Sequence, residues 1–335
     1  MDFLDRLGLE HPVVQAGMGG GVATAELAGA VSAAGGLGTI ATMPSATFGA
    51  QLAAARRRAD GRPVAANLLV PFARPAHLRA CVQAGAALVV FHGGIGRRWF
   101  SDLREAGVLA FSTVGSVEQA RAALAAGADG LVVQGAEAGG HLMGDEPLRT
   151  LLPRVRGLGT FPVLAAGGVA DYRDVVAVLD AGADAAVAGT RFLMTSESRA
   201  HPLYKQRVQE ATRTVRTMLF GVGWPLAHRV VPNAATDRWL NEAGEAPLWL
   251  RGVGRASAPL ARVLPLRAGN AMTSRQRVGV PLFGPALPLV GMPAASVDWT
   301  ALYAGETVRR IDDIVSVRDA VERLTSRSGP SRPSS

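Results

Sequence analysis

The stretch AAGADGLVVQG, Ala125–Gly135, closes a helix-like run on Ala-Gly and passes directly into an apolar segment. Glycine ends a helix because it enters the left-handed conformation at little cost. A short run without polar alternation is how a strand covered on both faces reads. The same phrase recurs as SAAGGLGTIA at 32–41, QAGAALVVF at 83–91, REAGVLAFST at 104–113 and DAGADAAVAGT at 180–190. HPVVQAG at 11–17, RPVAANLL at 62–69 and FPVLAAGG at 161–168 complete a set of eight candidate strands. They are centred near residues 14, 39, 66, 89, 110, 132, 164 and 187, with helical patterns between. Eight alternating β/α units predict an α/β fold, a TIM (β/α)8 barrel with parallel strands. A doubly wound sheet fits less well, because no GxGxxG opens a helix after the first strand.

From Tyr204 onward the alternation stops, and four of the five tryptophans follow: Trp224, Trp239, Trp249 and Trp299. The expected organisation is a barrel over 1–203 and 301–325 and a Pro/Trp-rich insertion or lid at 204–300, after strand eight. A closing helix is expected near 311–325 and a disordered tail at 326–335, SRSGPSRPSS.

The chain of 335 residues carries a formal charge of +8, yet its basic residues are dispersed and only 5% of residues are aromatic. A solvated arginine-rich surface is expected rather than a nucleic-acid interface. Lys205 is the single lysine among 35 basic residues, so any Schiff-base chemistry would depend on it; PLYKQRVQEA reads as an exposed helix. The lone Cys81 excludes an internal disulfide framework and reads as core. MDFLDRLGLEHP does not resemble a signal peptide, and no apolar run is long enough to span a membrane, so a soluble cytoplasmic protein is expected.

In a TIM barrel, chemistry sits at the C-terminal ends of the strands. Those ends are Gln15 to Met18, Thr42-Met43, Asn67, His92 to Gly94, Ser112-Thr113, Gln134 to His141, Gly167-Gly168 and Gly189-Thr190. Glu137 is their only carboxylate. No metal-ligand spacing and no nucleophile beside a base occurs, so a cofactor is expected to carry the reaction. The glycines of Ala166–Gly168 and Ala188–Thr190 let backbone N–H groups approach a phosphate, on the two strands whose loops commonly bind one. His141 follows Gly139-Gly140 and is the candidate base, since an imidazole titrates near neutrality. His92 also ends a strand and is a candidate substrate contact. His11, His77, His201 and His228 lie off the strand ends and read as structural or surface.

QAGMGGG, NLLVPF, VVFHGG, VVQGAEAGGH, PVLAAGGVAD and AGTRF, with AHPLYKQRVQEA and TRTVRTMLFGVGWPLAHRVVPN further on, together resemble the nitronate monooxygenase family, formerly 2-nitropropane dioxygenases. The EAGGH signature is shared with flavin-dependent enoyl-ACP reductases and quinone reductases. The resemblance implies non-covalent FMN contacted by Gly17, Met18, Asn67, Gln134, Gly139, Gly140, Gly167, Gly168, Ala188, Gly189 and Thr190. It also implies that His141 faces the flavin beside the substrate. The expected activity is FMN-dependent oxidation of a nitronate or similar acidic carbon with O2. Two alternatives stay open: an NAD(P)H-dependent flavin reductase of an enoyl thioester or quinone, and a barrel that binds a phosphorylated metabolite without flavin. No metal is expected, and assembly as a homodimer is left open.

Overall fold

The computed structural model describes residues 3–263 and 276–327. Eight parallel strands form one sheet: β1 (Val13–Gln15), β2 (Gly38–Ala41), β3 (Val64–Leu69), β4 (Leu88–His92), β5 (Leu109–Val114), β6 (Gly130–Gln134), β8 (Val163–Ala166) and β9 (Ala185–Ala188). Their order is β1-β9-β8-β6-β5-β4-β3-β2, and the two ends meet through Leu37. Gln15 N–H donates to the Leu37 carbonyl at 2.9 Å and Leu37 N–H to the Val13 carbonyl at 2.9 Å, so the sheet rolls into a TIM barrel. Every strand centre expected from the sequence falls inside one of these strands.

Alternation along each strand divides the core. Val14, Ala65, Val90, Phe111, Val132, Leu164 and Val187 fill the interior, joined by Phe3 of α1 (Phe3–Leu7), whose ring lies 5.8 Å from Phe111. The other face packs on the surrounding helices: Val89 and Ala110 meet Leu78 and Cys81 of α4 (Pro75–Gln83), and Leu131 and Val163 meet Leu151 and Val155 of α7 (Leu148–Arg156). Cys81 is buried, and burial pushes its thiol up to about 12, so it is an inert core residue.

After β9 the chain forms α9 (Thr190–Leu193), α10 (Pro202–Glu210) and the antiparallel pair β10 (Val215–Thr217) and β11 (His228–Val230). β11 also pairs with a two-residue strand, β7 (Gly140–His141), in the loop after β6. The segment after strand eight is therefore hydrogen-bonded to the rim of the barrel. α13 (Val317–Thr325) closes the chain, with Ser316 Oγ accepting from Asp319 N–H at its start. Its Val317, Val321 and Leu324 pack with Leu27 and Val31 of α2 (Ala25–Ala33) and with Val175 of α8 (Tyr172–Asp180). The helix begins later than the expected 311, and the expected disordered tail lies outside the described residues from 328 on.

Lys205 corrects the reading of α10 as an exposed helix. It is 7% exposed, and its Nζ donates to the carbonyls of Thr195 at 2.5 Å and Ser198 at 2.9 Å. Those carbonyls follow α9 and need donors, which the long ammonium side chain supplies from the next helix. Among the described residues no helix is long and apolar enough to cross a membrane.

Candidate functional site

The C-terminal ends of the strands open into a cavity of about 1080 Å³, the scale of a site for a cofactor together with a substrate. Gly17, Met18, Asn67, His92, Gln134, Gly139, Gly140, His141, Gly167, Gly168, Gly189 and Thr190 all line it. Of the residues expected to bind the cofactor, only Ala188 is not on this surface. It is fully buried in β9, where its carbonyl accepts from Ala16 N–H at 2.9 Å.

The loop carrying His141 is held from two sides. Gln134 Nε2 donates to the His141 carbonyl at 3.0 Å, and Gln134 Oε1 accepts from Met143 N–H at 2.9 Å. The side chain of Gln134 is thus spent on loop geometry. On the other side His141 is paired with His228 across β7 and β11, and Leu142 N–H donates to the Ala227 carbonyl at 2.8 Å. Arg229, almost fully buried, donates Nε and Nη2 to the Ala136 carbonyl at 2.9 and 2.7 Å and pairs with Glu306 at 3.1 Å. Glu137, the one carboxylate at the strand ends, accepts from Leu148 N–H at the start of α7, so it caps a helix.

Within this frame His141 is 8% exposed, and its ring Nε2 is buried without a hydrogen-bond partner. Trp224 stacks on the imidazole at 3.8 Å between centroids and 22° between planes. The rings of His228 and Tyr303 lie 5.2 and 5.3 Å away, both tilted. Burial first, then the neighbouring His228 and His92, hold the His141 imidazole well below its ordinary value, so it is neutral at pH 7. Burial brings His92 down to about 4, partly offset by a hydrogen bond with the His141 main chain. His228 is likewise pushed down to about 4 by burial. Its Nε2 accepts from Phe220 N–H at 3.2 Å, which places the proton on Nδ1, facing the Leu226 carbonyl at 2.9 Å.

Sequence reasoning did not find Trp224, Tyr303 or Arg229. Trp224 and Arg229 lie in the family-like stretch TRTVRTMLFGVGWPLAHRVVPN, but it is β7–β11 pairing and the return of the chain at Tyr303 that bring the three to His141. For His228 the sequence predicts a structural or surface role. It is structural and fully buried, and it stands beside the candidate base. Of the other tryptophans, Trp299 lines the cavity, while Trp239 and Trp249 meet edge to face at 5.9 Å away from it.

The buried neutral His141 and His228, with His92 beside them, give the protein an acid-labile centre. Both have folded-state affinities for protons below the ordinary value of 6.5, so the unfolded chain binds more protons as pH falls. Stability is then full above pH 6.5 and is lost as pH falls below it, for His228 down to about 4, by about 1.4 kcal/mol per pH unit while a ring stays neutral in the fold. Urea midpoints should fall steeply between pH 7 and pH 5, and His228→Asn should flatten that slope. An unchanged midpoint across the window would show that both rings protonate freely in the fold.

The nitronate monooxygenase family model matches residues 2–327. The chain belongs to the nitronate monooxygenase family. It is an oxidoreductase of that family. A nitronate monooxygenase from Pseudomonas aeruginosa is 34% identical over 266 residues, covering 65% of this chain and 75% of the relative. A Mycobacterium tuberculosis protein named (3aS,4S,5R,7aS)-5-hydroxy-7a-methyl-1-oxo-octahydro-1H-indene-4-carboxyl-CoA dehydrogenase is 30% identical, covering 95% of this chain and 93% of its own length. The solved nitroalkane oxidase of Streptomyces ansochromogenes superposes with a TM-score of 0.75 at 29% identity, covering 96% of each chain. Family membership speaks against a phosphometabolite-binding barrel without redox chemistry.

Proposed function

We propose that this member of the nitronate monooxygenase family binds FMN and oxidises a nitronate or a similarly acidic carbon with O2, His141 serving as base or hydrogen-bond donor. The observation that carries this reading is the neutral imidazole of His141 on the wall of the strand-end cavity, with its buried Nε2 left without a hydrogen-bond partner. Burying a polar nitrogen without a partner costs free energy, so such an atom points to a ligand that completes it.

The residues at the rim fit FMN. Gly167 and Gly168 have φ of +123° and +75°, and a side chain on Gly168 would project into open space. That is the cradle a phosphate needs to meet main-chain N–H groups. Gly168, Gly189 and Thr190 would hold the phosphate. Asn67 packs against Gly17, which has no room for a side chain, and its amide makes no hydrogen bond to the described residues, leaving it for the ring system. FMN, when bound, supplies the electron acceptor.

The chain's own work is then proton handling and enclosure. A neutral imidazole keeps a lone pair at neutral pH, and the His141 ring takes the proton from the acidic carbon. The apolar wall of Leu287, Leu289, Met292 and Trp299 keeps water from the reacting carbon. That same wall favours, as a second reading, a larger apolar substrate such as an enoyl thioester or quinone reduced by NAD(P)H. Anaerobic mixing of the purified protein with a nitronate, NADH and NADPH in turn separates the two. Bleaching of the bound flavin by the nitronate alone is expected, and bleaching by a nicotinamide but not the nitronate would replace this reading with the second.

A further inference from the structure

A catalytic imidazole is normally aimed by a hydrogen bond to its second nitrogen, from a carboxylate or a carbonyl. His141 lacks that device: its side chain makes no hydrogen bond to any described residue. The ring is held by faces and edges instead, and the closest of these is the indole of Trp224, nearly parallel to it at 3.8 Å.

Trp224 is itself wedged. Its main-chain N–H donates to the Gly221 carbonyl at 3.1 Å, and the preceding Gly223 N–H donates to Ser257 Oγ at 2.8 Å, so the backbone that carries the ring is pinned. Its ring meets Phe72 edge to face at 5.8 Å and His92 at 6.0 Å. Gly93, at φ +76°, makes room for it, since a side chain there would come within 2.9 Å of Trp224 Cζ2. An indole packed by Phe72, His92 and Gly93 presents a fixed plane to the imidazole, and a stacked partner at 3.8 Å resists rotation about the His141 Cβ–Cγ bond.

We propose that Trp224 is a positioning residue for His141, fixing the imidazole plane by stacking in the role that a hydrogen-bonded partner has elsewhere. The proposal rests on the reading of His141 as the base. Trp224→Phe retains an aromatic face and Trp224→Leu removes it, each made with His141 intact and with His141→Ala. Relaxation of 13C-labelled His141 ring positions in the purified protein reports the positioning directly. The order parameter should stay in the rigid range in Trp224→Phe and fall below about 0.6 in Trp224→Leu. With a neutral carbon acid, Trp224→Leu should lower kcat by about 10- to 100-fold with KM nearly unchanged, and should change kcat by less than about twofold when His141 is already alanine. A ring that stays rigid in Trp224→Leu, or an equal kcat loss in both backgrounds, overturns the proposal. If His141→Ala alone leaves turnover intact, the base reading fails, and the relaxation measurement still decides whether Trp224 fixes the ring.

Discussion

His141→Ala is expected to lower kcat/KM for a neutral nitroalkane by about 10²- to 10⁴-fold, which corresponds to about 3–5 kcal/mol of barrier. The nitronate form of the same substrate has already lost its proton, so its oxidation should suffer less. The contrast between the two forms is what distinguishes a base from a residue that only binds. Because burial keeps the imidazole deprotonated, the wild-type rate on the neutral form should not fall until pH drops below 6.5. His141→Asn, which can donate a hydrogen bond but is not a base at neutral pH, should recover activity on the nitronate more than on the neutral form. Steady-state kinetics on both forms, with flavin content and melting temperature measured first, decide the matter. Equal losses on both forms would assign His141 to binding, and wild-type rates would return it to packing.

The second large effect is expected at Gly168. Its φ of +75° is strained for any residue with a side chain, and that side chain would stand in the open space where the phosphate is proposed to sit. Arg310 Nη2 donates to the Gly168 carbonyl at 2.9 Å, so the loop is anchored and cannot simply swing aside. Strain and the lost main-chain contact together should weaken FMN binding by on the order of 100-fold in Gly168→Val, with Gly168→Ala intermediate. Quenching of flavin fluorescence on titration into stripped protein measures this, and mass spectrometry of the released cofactor should give FMN rather than FAD. Wild-type affinity in Gly168→Val would remove the phosphate from this loop.

The barrel was legible because parallel strands covered on both faces must be apolar throughout, and because Ala-Gly marks the end of the helix before several of them. Once the topology is fixed, all strand ends share one rim, so His141, Asn67 and the glycines of 167–168 could be named from sequence alone. The surroundings of His141 could not. Trp224 and Tyr303 reach it through a strand of two residues, too short to leave any periodicity, and through a chain return that no local pattern encodes. Lys205 misled for a related reason: helical spacing says nothing of carbonyls left without donors in the loop that follows the preceding helix.

The pairing of β7 with β11 has a consequence for recombining this protein with its relatives. The strand that seats His141 and the loop that supplies Trp224 are stitched into one miniature sheet, so neither travels well alone. A chimera exchanging only the loop after β6 would marry a foreign histidine to a native indole, and one exchanging only 212–231 would do the reverse. Grafts that move both pieces together carry an intact unit, and the boundary of that unit crosses the line between barrel and appended segment.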